Sequence, residues 1–485
     1  MEPPPPALVQ RLRAALPADA VLARPDERRV YDCDGKTLHR AAADVVVLPR
    51  TTAEVVAAVR IARDEGAAIV PRGAGTGLSG GTLAPRGGVM IATARMNRIL
   101  SLDAQERRAF VEPGVVNSKL SDAARPYGLR YAPDPSSQTA CTIGGNVAEN
   151  SGGPHTLRLG VTSNHVTGLV LVTPDADIVR LGDCADREGG GDCAAPWDDA
   201  ITGLVCGSEG LFGVVTEIAV RLVPVPPGVR TLLASYSTIE SAGRAVAAVL
   251  GSGVLPAAVE LMDRECVRAV EAFVHAGFPA DAAAVLLVEI EGSDAELGAD
   301  TPSVVAALRS EGPIEVRVAA ADDERARLWK GRKHAAGALG RICRSFYTHD
   351  GCVPPSRIAE ALVRIGEIAA RHRVRVATLA HAGDGNLHPL FLFDTLDDDE
   401  LRRGAAAGRE VLEMCLALGG SLTGEHGVGG EKRDLLPLQY DPPTIDLFRR
   451  VRRAFDPAER MNPEKVFPTA LRAALGGTKP VRGWL

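Results

Sequence analysis

Residues 381–388 read HAGDGNLH, two histidines bracketing a Gly-Asp-Gly-Asn turn in a chain of 485 residues that has only ten His. With that turn between them, His381 and His388 cannot share one regular helix, but a strand, a turn and a second strand would aim both imidazoles at one point. Imidazole pairs are good ligands for a divalent metal, and a third, anionic ligand completes such a site. The stretch GEHG at 424–427 offers Glu425, next to a further histidine, His426. From these residues alone the plainer alternative stays open, that both histidines are surface groups or internally satisfied polar groups.

A second stretch able to do chemistry is PRGAGTGLSGG at 71–81. Gly75, Gly77 and Gly80 satisfy G-x-G-x-x-G, but a dinucleotide loop of the Rossmann kind runs straight into a helix. Here the chain continues into GTLAPRGGVMIATARM, where Pro85 and Gly87-Gly88 forbid a helix and Val89–Ala92 reads as a strand. No lysine follows in the P-loop position either. What survives is an anion nest: closely spaced glycines let backbone N–H groups crowd around a phosphate or pyrophosphate, with Arg72 beside them. The alternative is a plain tight turn.

The elements that must position these groups are readable around them. Val45–Leu48 reads as a buried strand, Thr51 with Glu54 as a capping box for a helix that Gly66 stops, and 68–70 as the next strand, a β-α-β unit with the glycine loop at its exit. Residues 182–196 read as a solvated loop, and the prolines at 224–227 as a boundary. Beyond it, strand-like and helix-like segments alternate, and amphipathic helices near 356–372 and 398–418 frame the histidine pair. The length predicts two or three domains. With 46% apolar residues, 4% aromatics and a net charge of -6, aliphatic cores are expected and nucleic acid is a poor partner. The nine cysteines contain no C-x-x-C pair, which argues for reduced thiols and against an iron-sulfur cluster or cysteine-type zinc site on this chain. Neither a signal peptide nor a transmembrane stretch is read, and a cytoplasmic location follows as the expectation.

PRGAGTGLSGG, YAPDPSSQTACTIGGNVAENSGG and GSEGLFGVVTEIAVRL, in this order, resemble the FAD domain of the vanillyl-alcohol-oxidase type flavoproteins. HAGDGNLHPL, GGSLTGEHGVGGEKRD and MNPEKVFP resemble the branch of that family that oxidises D-2-hydroxy acids, the FAD-containing chain of bacterial glycolate oxidase and the D-lactate dehydrogenases among them. The resemblance runs over nearly the whole chain. It implies an α+β chain: a PCMH-type FAD-binding domain of two subdomains over 1–225, an α/β substrate domain with the metal site over 226–425, and a segment 426–485 returning to the FAD domain.

The resemblance implies that Arg72, Gly73, Gly75, Thr76, Gly77, Ser79 and Gly80 wrap the FAD pyrophosphate. Pro133, Asp134, Gly144, Gly145, Asn146 and Asn150 would line the flavin and ribityl chain, with Gly207, Glu209, Gly213, Val214 and Asn462 nearby. The first loop lacks the histidine that tethers FAD covalently in some relatives, so non-covalent FAD is expected. His381, His388 and Glu425 would bind a divalent metal, zinc, iron or manganese, near the flavin. His426 would be the catalytic base, and Arg332 would clamp the substrate carboxylate. Without the family, Arg332 in a run with Lys330 and Lys333 would read as part of a solvated face.

Two departures bear on the substrate. Where the 2-hydroxyglutarate branch carries a threonine and a lysine for a longer diacid, this chain has Ala336 and Thr348. That points to a small monocarboxylate such as glycolate or D-lactate. Electrons leaving the flavin need an acceptor, and the resemblance implies an iron-sulfur subunit, a quinone or an electron carrier, with a peripheral place at the inner membrane through such a partner. Alternatives are a D-2-hydroxyglutarate dehydrogenase, a metal-free alcohol or sugar-lactone oxidase, and a non-redox synthase of the alkylglycerone-phosphate type. A metal-dependent hydrolase and a mere flavin-binding subunit are further alternatives.

Overall fold

The computed structural model describes residues 3–186 and 198–468. Most of the loop expected at 182–196 lies outside them; its start, Asp183–Asp186, is a short helix. The chain forms two compact units, one made of residues up to 152, 161–225 and 426 onward, the other of 153–160 and 226–425.

The first unit has two main sheets, besides the short antiparallel pair of Leu129–Arg130 with Val223–Pro224. In the four-stranded sheet, Val45–Val47, Val89–Ala92 and Ile69–Arg72 run parallel in that order, with Val21–Leu22 antiparallel at the edge. The helix Thr52–Asp64 makes the crossover. Thr51 Oγ1 accepts from Glu54 N at 3.2 Å while Glu54 reaches back to Arg50 N at 2.8 Å, so the reciprocal cap closes one residue further back than the Thr51 amide. Gly66, at φ +65°, ends the turn after the helix. The strands are buried on both faces, as parallel crossovers require, against Leu8, Leu12, Val55 and Val59.

The other sheet is antiparallel, in the order Ile99–Asp103, Arg108–Val111, Val214–Arg221, Val166–Val172, Ile178–Gly182. Leu169, Leu171, Ile218 and Val220 pack against Leu120 of helix Asn117–Ala124 and Ile143 and Val147 of helix Ile143–Glu149. Each such side chain is worth about 1.5–3 kcal/mol when fully buried. The stretch after 460 threads back to the parallel sheet, Ile69 N donating to Arg460 O and Asn462 N to Ile69 O.

The second unit is built on one antiparallel sheet of eight strands, in the order Glu315–Val318, Gly228–Tyr236, Ala284–Gly292, Ala258–Asp263, Arg375–His381, Asn386–Phe393, Ser345–Thr348, with Gly351–Cys352 also pairing with Asn386–Phe393. Ile358–His372 and Asp398–Ala417 are helices, close to the expected bounds. One face packs Leu233, Met262, Leu287, Leu379 and Leu390 against helices Arg264–Phe273 and Asp322–Leu339. Side chains alternate along each strand, so Glu260, His381 and His388, two residues from Met262, Leu379 and Leu390, stand on this same face. A polar cluster therefore replaces the aliphatic core at that end of the sheet.

Candidate active site

His381 ends its strand and His388 lies in the next, with His381 opposite Asn386 and Leu379 opposite His388. The hairpin reverses the chain, so two residues an odd number apart land diagonally on one face. Their ring centroids are 5.1 Å apart at 86°. Glu425 completes the set: its Oε1 is 3.1 Å from His381 Nε2 and 3.3 Å from His388 Nε2. One ligand atom from each of the three residues lies within 4.8 Å of the others.

Behind His381 stands Glu260, which the sequence reading missed. It lies opposite His381 in the neighbouring strand, and its Oε1 is 2.8 Å from His381 Nδ1. The Glu260 carboxylate on Nδ1 fixes the ring with Nε2 toward Glu425, the arrangement that orients histidine ligands in metal sites. Burial would raise the carboxyl of Glu425, but the facing imidazoles overcome it and hold it well below the usual carboxylate range. Burial likewise opposes a charge on His381, yet Glu260 and Glu425 together hold that ring well above an ordinary imidazole. Two carboxylates thus favour positive charge at His381, and a divalent cation at Nε2 would answer the same negative field. The residues fit a His2Glu metal site.

Arg332, on helix Asp322–Leu339, is buried rather than part of a solvated face, being 4% exposed. Its Nη2 pairs with Glu260 Oε2 at 2.6 Å, while its buried Nε has no hydrogen-bond partner among the described residues. One helical turn away, Trp329 Nε1 donates to Glu289 at 2.5 Å. Thr231 and His155 approach the same carboxylate. Asp350 was also missed: fully buried, it accepts hydrogen bonds from the Asn386 amide and from the turn that carries Glu425.

In the first unit the glycine loop leaves the strand Ile69–Arg72. Gly75 sits at φ +74°, and a Cβ there would fall 2.1 Å from Arg72 Nη2, so only glycine lets the loop close over the guanidinium. Arg72 holds the loop from below, Nη1 donating to Cys33 O at 2.9 Å and Thr82 Oγ1 at 3.0 Å. Ser79 O accepts from Gly430 N and Glu431 N, and Asn462 Nδ2 bonds Gly81 O at 2.9 Å and Glu209 O at 2.7 Å. The Glu209 carboxylate is spent on Val428 N at 2.7 Å and Gly429 N at 2.6 Å. It therefore shapes the segment after His426.

Pro133, Gly144, Asn146 and Asn150 also serve the frame. Pro133 O and Asn146 Oδ1 both accept from Asn117 Nδ2 at 2.9 Å, Gly144 N donates to Pro113 O, and Asn150 Oδ1 caps Ser163 N at 2.8 Å. Gly207 and Gly213 take positive φ, and Val214 opens a central strand.

The loop nonetheless has the character of an anion cradle. No hydrogen-bond partner exists among the described residues for the backbone N–H groups of Thr76 and Gly77. The same holds for Ser79 Oγ, on a residue 0% exposed, and for Asn462 Oδ1. Two half-buried N–H donors and two buried side-chain atoms that need partners fit a dinucleotide cofactor. His426 opens the last stretch of this unit, half-buried and next to Gly427. At φ +84°, a Cβ on Gly427 would meet Glu149 Oε2 at 2.7 Å and Glu209 Oε1 at 2.8 Å.

A fold of this kind with these two residue sets defines a flavoprotein oxidoreductase. Residues 43–182 match the model of an FAD binding domain and residues 225–466 that of the C-terminal domain of FAD linked oxidases. The chain belongs to the family of FAD-linked oxidases. It is similar to the glycolate oxidase subunit GlcD of Escherichia coli K12, 41% identical over 98% of this chain and 94% of that one. The mitochondrial cytochrome-type D-lactate dehydrogenase of Arabidopsis thaliana is 30% identical over 96% of this chain and 80% of its own. Among solved structures, 4-ethylphenol oxidase from Gulosibacter chungangensis shares the fold, with a TM-score of 0.76 at 17% identity over 96% of this chain and 98% of that chain. The α+β architecture, a PCMH-type FAD domain joined to a C-terminal oxidase domain, is thus the one the sequence motifs imply.

Proposed function

We propose that the protein oxidises a small D-2-hydroxy acid, glycolate or D-lactate, to the 2-oxo acid. The observation that carries this is the convergence of His381 Nε2 and His388 Nε2 on Glu425 Oε1 with Glu260 behind His381. The names of the relatives support the substrate class. The glycine loop, with Thr76, Gly77, Ser79 and Asn462, would hold FAD without a covalent link. His381, His388 and Glu425 would hold a divalent metal, zinc, iron or manganese. When bound, the flavin supplies a hydride acceptor at N5 and the metal supplies Lewis acidity toward the substrate hydroxyl.

The remaining chemistry falls to the chain itself. His426 accepts the hydroxyl proton, the electron pair of that O–H bond forms the new C=O bond, and the α-hydrogen leaves with the electrons of its C–H bond. Arg332, with Nε–H buried and unspent, receives the substrate carboxylate. A second carboxylate finds little support: Ala336 offers no polar group and Thr348 Oγ1 already donates to His349 O at 3.3 Å. That favours the monocarboxylic acids over 2-hydroxyglutarate. The electrons then pass to an acceptor, an iron-sulfur subunit, a quinone or a carrier. No helix among the described residues is long and apolar enough to cross a membrane, so attachment there would run through such a partner.

A dye-linked assay of the purified chain tests this. Turnover with D-lactate or glycolate and none with L-lactate is expected, and turnover restricted to 2-hydroxyglutarate or to non-acidic alcohols would overturn it.

A further inference from the structure

Glu425 and the two histidines come from separate stretches of the second unit, and something must fix the distance between them. The hairpin that carries His381 and His388 also carries Asn386, directly opposite His381. The Asn386 side chain turns to Asp350, Nδ2 donating to Oδ1 at 2.7 Å. The Asp350 carboxylate simultaneously gathers the turn that ends in Glu425. Thr423 Oγ1 donates to Oδ2 at 2.6 Å, Gly424 N to Oδ2 at 3.1 Å, and Glu425 N to Oδ1 at 3.1 Å and Oδ2 at 3.3 Å. The Asp350 carbonyl accepts from Gly424 N as well, at 3.2 Å. Asp350 is 0% exposed and Asn386 4%.

The packing leaves no slack around this tie. A Cβ on Gly424 would fall 1.9 Å from Asn386 Nδ2 and 2.6 Å from Cys352 Sγ, so the turn packs directly on the Asn386 amide. One carboxylate thus bonds both elements that supply the ligands. An ionised acceptor makes stronger bonds to backbone N–H groups than a neutral one does, and a buried network of this kind holds its members in one geometry.

We propose that Asp350 is a positioning residue that locks the Glu425 turn to the histidine hairpin and so sets the affinity and fit of the metal site, a role that presupposes the metal site proposed above. Asp350 acts through Asn386, Thr423 and the Glu425 backbone, and its carboxylate also lies within 4.8 Å of a ring nitrogen of His388. Asp350→Asn keeps the size but replaces an acceptor with an amide N–H that faces the donors of the turn.

The test is a calorimetric titration of full-length, chelator-treated holoprotein with Zn2+ alone, and separately with Mn2+, alongside the flavin content. The wild type should bind about one equivalent. Asp350→Asn should bind about 10- to 100-fold more weakly, the range seen when partners of metal ligands are lost, with the flavin content unchanged. Thr423→Val removes one bond of the same tie without burying a new polar group, and should weaken Zn2+ binding in the same direction if Asp350→Asn fails to fold. With saturating metal restored, Asp350→Asn should recover kcat more fully than KM, which a general loss of folding would not produce. Equal Zn2+ affinity in the wild type and both variants would overturn the role of Asp350 and leave the metal site standing. No binding to the wild type would overturn the metal site itself.

Discussion

Glu260 stands directly opposite His381 in an antiparallel strand pair and holds its Nδ1 at 2.8 Å, while its other oxygen takes Arg332 Nη2 at 2.6 Å. The three residues form a buried line from helix to sheet that ends at the imidazole facing Glu425. Ring orientation and local charge at His381 are therefore set by Glu260 and, behind it, Arg332.

If His388 is a metal ligand, His388→Ala strips the metal without disturbing the flavin, because the glycine loop lies in the other unit. The expected result is metal content near zero by mass spectrometry, an unchanged flavin spectrum and loss of hydroxy-acid turnover. Full activity after this change would contradict the site.

Arg332 has two roles that a pair of variants separates. Arg332→Ala should raise KM by about 10- to 100-fold, matching roughly 1.5–3 kcal/mol for a charged hydrogen bond. It should also destabilise the fold, by up to about 3–5 kcal/mol, because buried Glu260 loses its guanidinium partner and keeps only His381. Adding Glu260→Gln should recover much of the stability, read from the urea midpoint, but not the KM. Recovery of both would make Arg332 a structural partner of Glu260 and nothing more.

The carboxylate of Glu289 is a structural hub of the same sheet face, approached by His155, Thr231 and Trp329. Those partners outweigh its burial and hold its pKa down. Glu289→Leu strands these polar groups and should cost about 3–5 kcal/mol. An unchanged urea midpoint would show the hub to be dispensable.

Asp263 caps helix Arg264–Phe273, accepting from Cys266 N and Thr378 N. Burial nevertheless pushes its carboxyl up to about 6. Between about pH 4, where an unfolded Asp titrates, and about 6, the folded chain binds the proton more firmly than the unfolded chain does. The contribution is therefore full below about pH 4 and is lost as pH rises through 6. Thermal melts across this window should show that decline in the wild type and a flatter slope in Asp263→Asn. Equal slopes would remove Asp263 from the pH dependence.

Much of this was legible in the sequence because it is local. The hairpin of HAGDGNLH, the Thr51 and Glu54 cap and the strands flanking the glycine loop depend on neighbours within a few residues. Glu260 and Asp350 were not legible, since their partners lie 121 and 36 residues away along the chain and only the strand register brings them together. A single Glu in the apolar run AAVELMD was the one available signal, an ionisable group where a core side chain is expected. Arg72 and Glu209 show a different limit: their side chains bond the protein frame, Arg72 to Cys33 and Thr82 and Glu209 to Val428 and Gly429. A motif fixes a position in the chain but not which way the side chain's hydrogen bonds run.

The most direct test of the central claim is anaerobic: record the visible flavin spectrum of the purified protein and add glycolate, D-lactate and L-lactate in turn. Bleaching of the flavin band by D-lactate or glycolate, with L-lactate inert, is the predicted result. A bound flavin that none of these acids bleaches would contradict the proposed reaction.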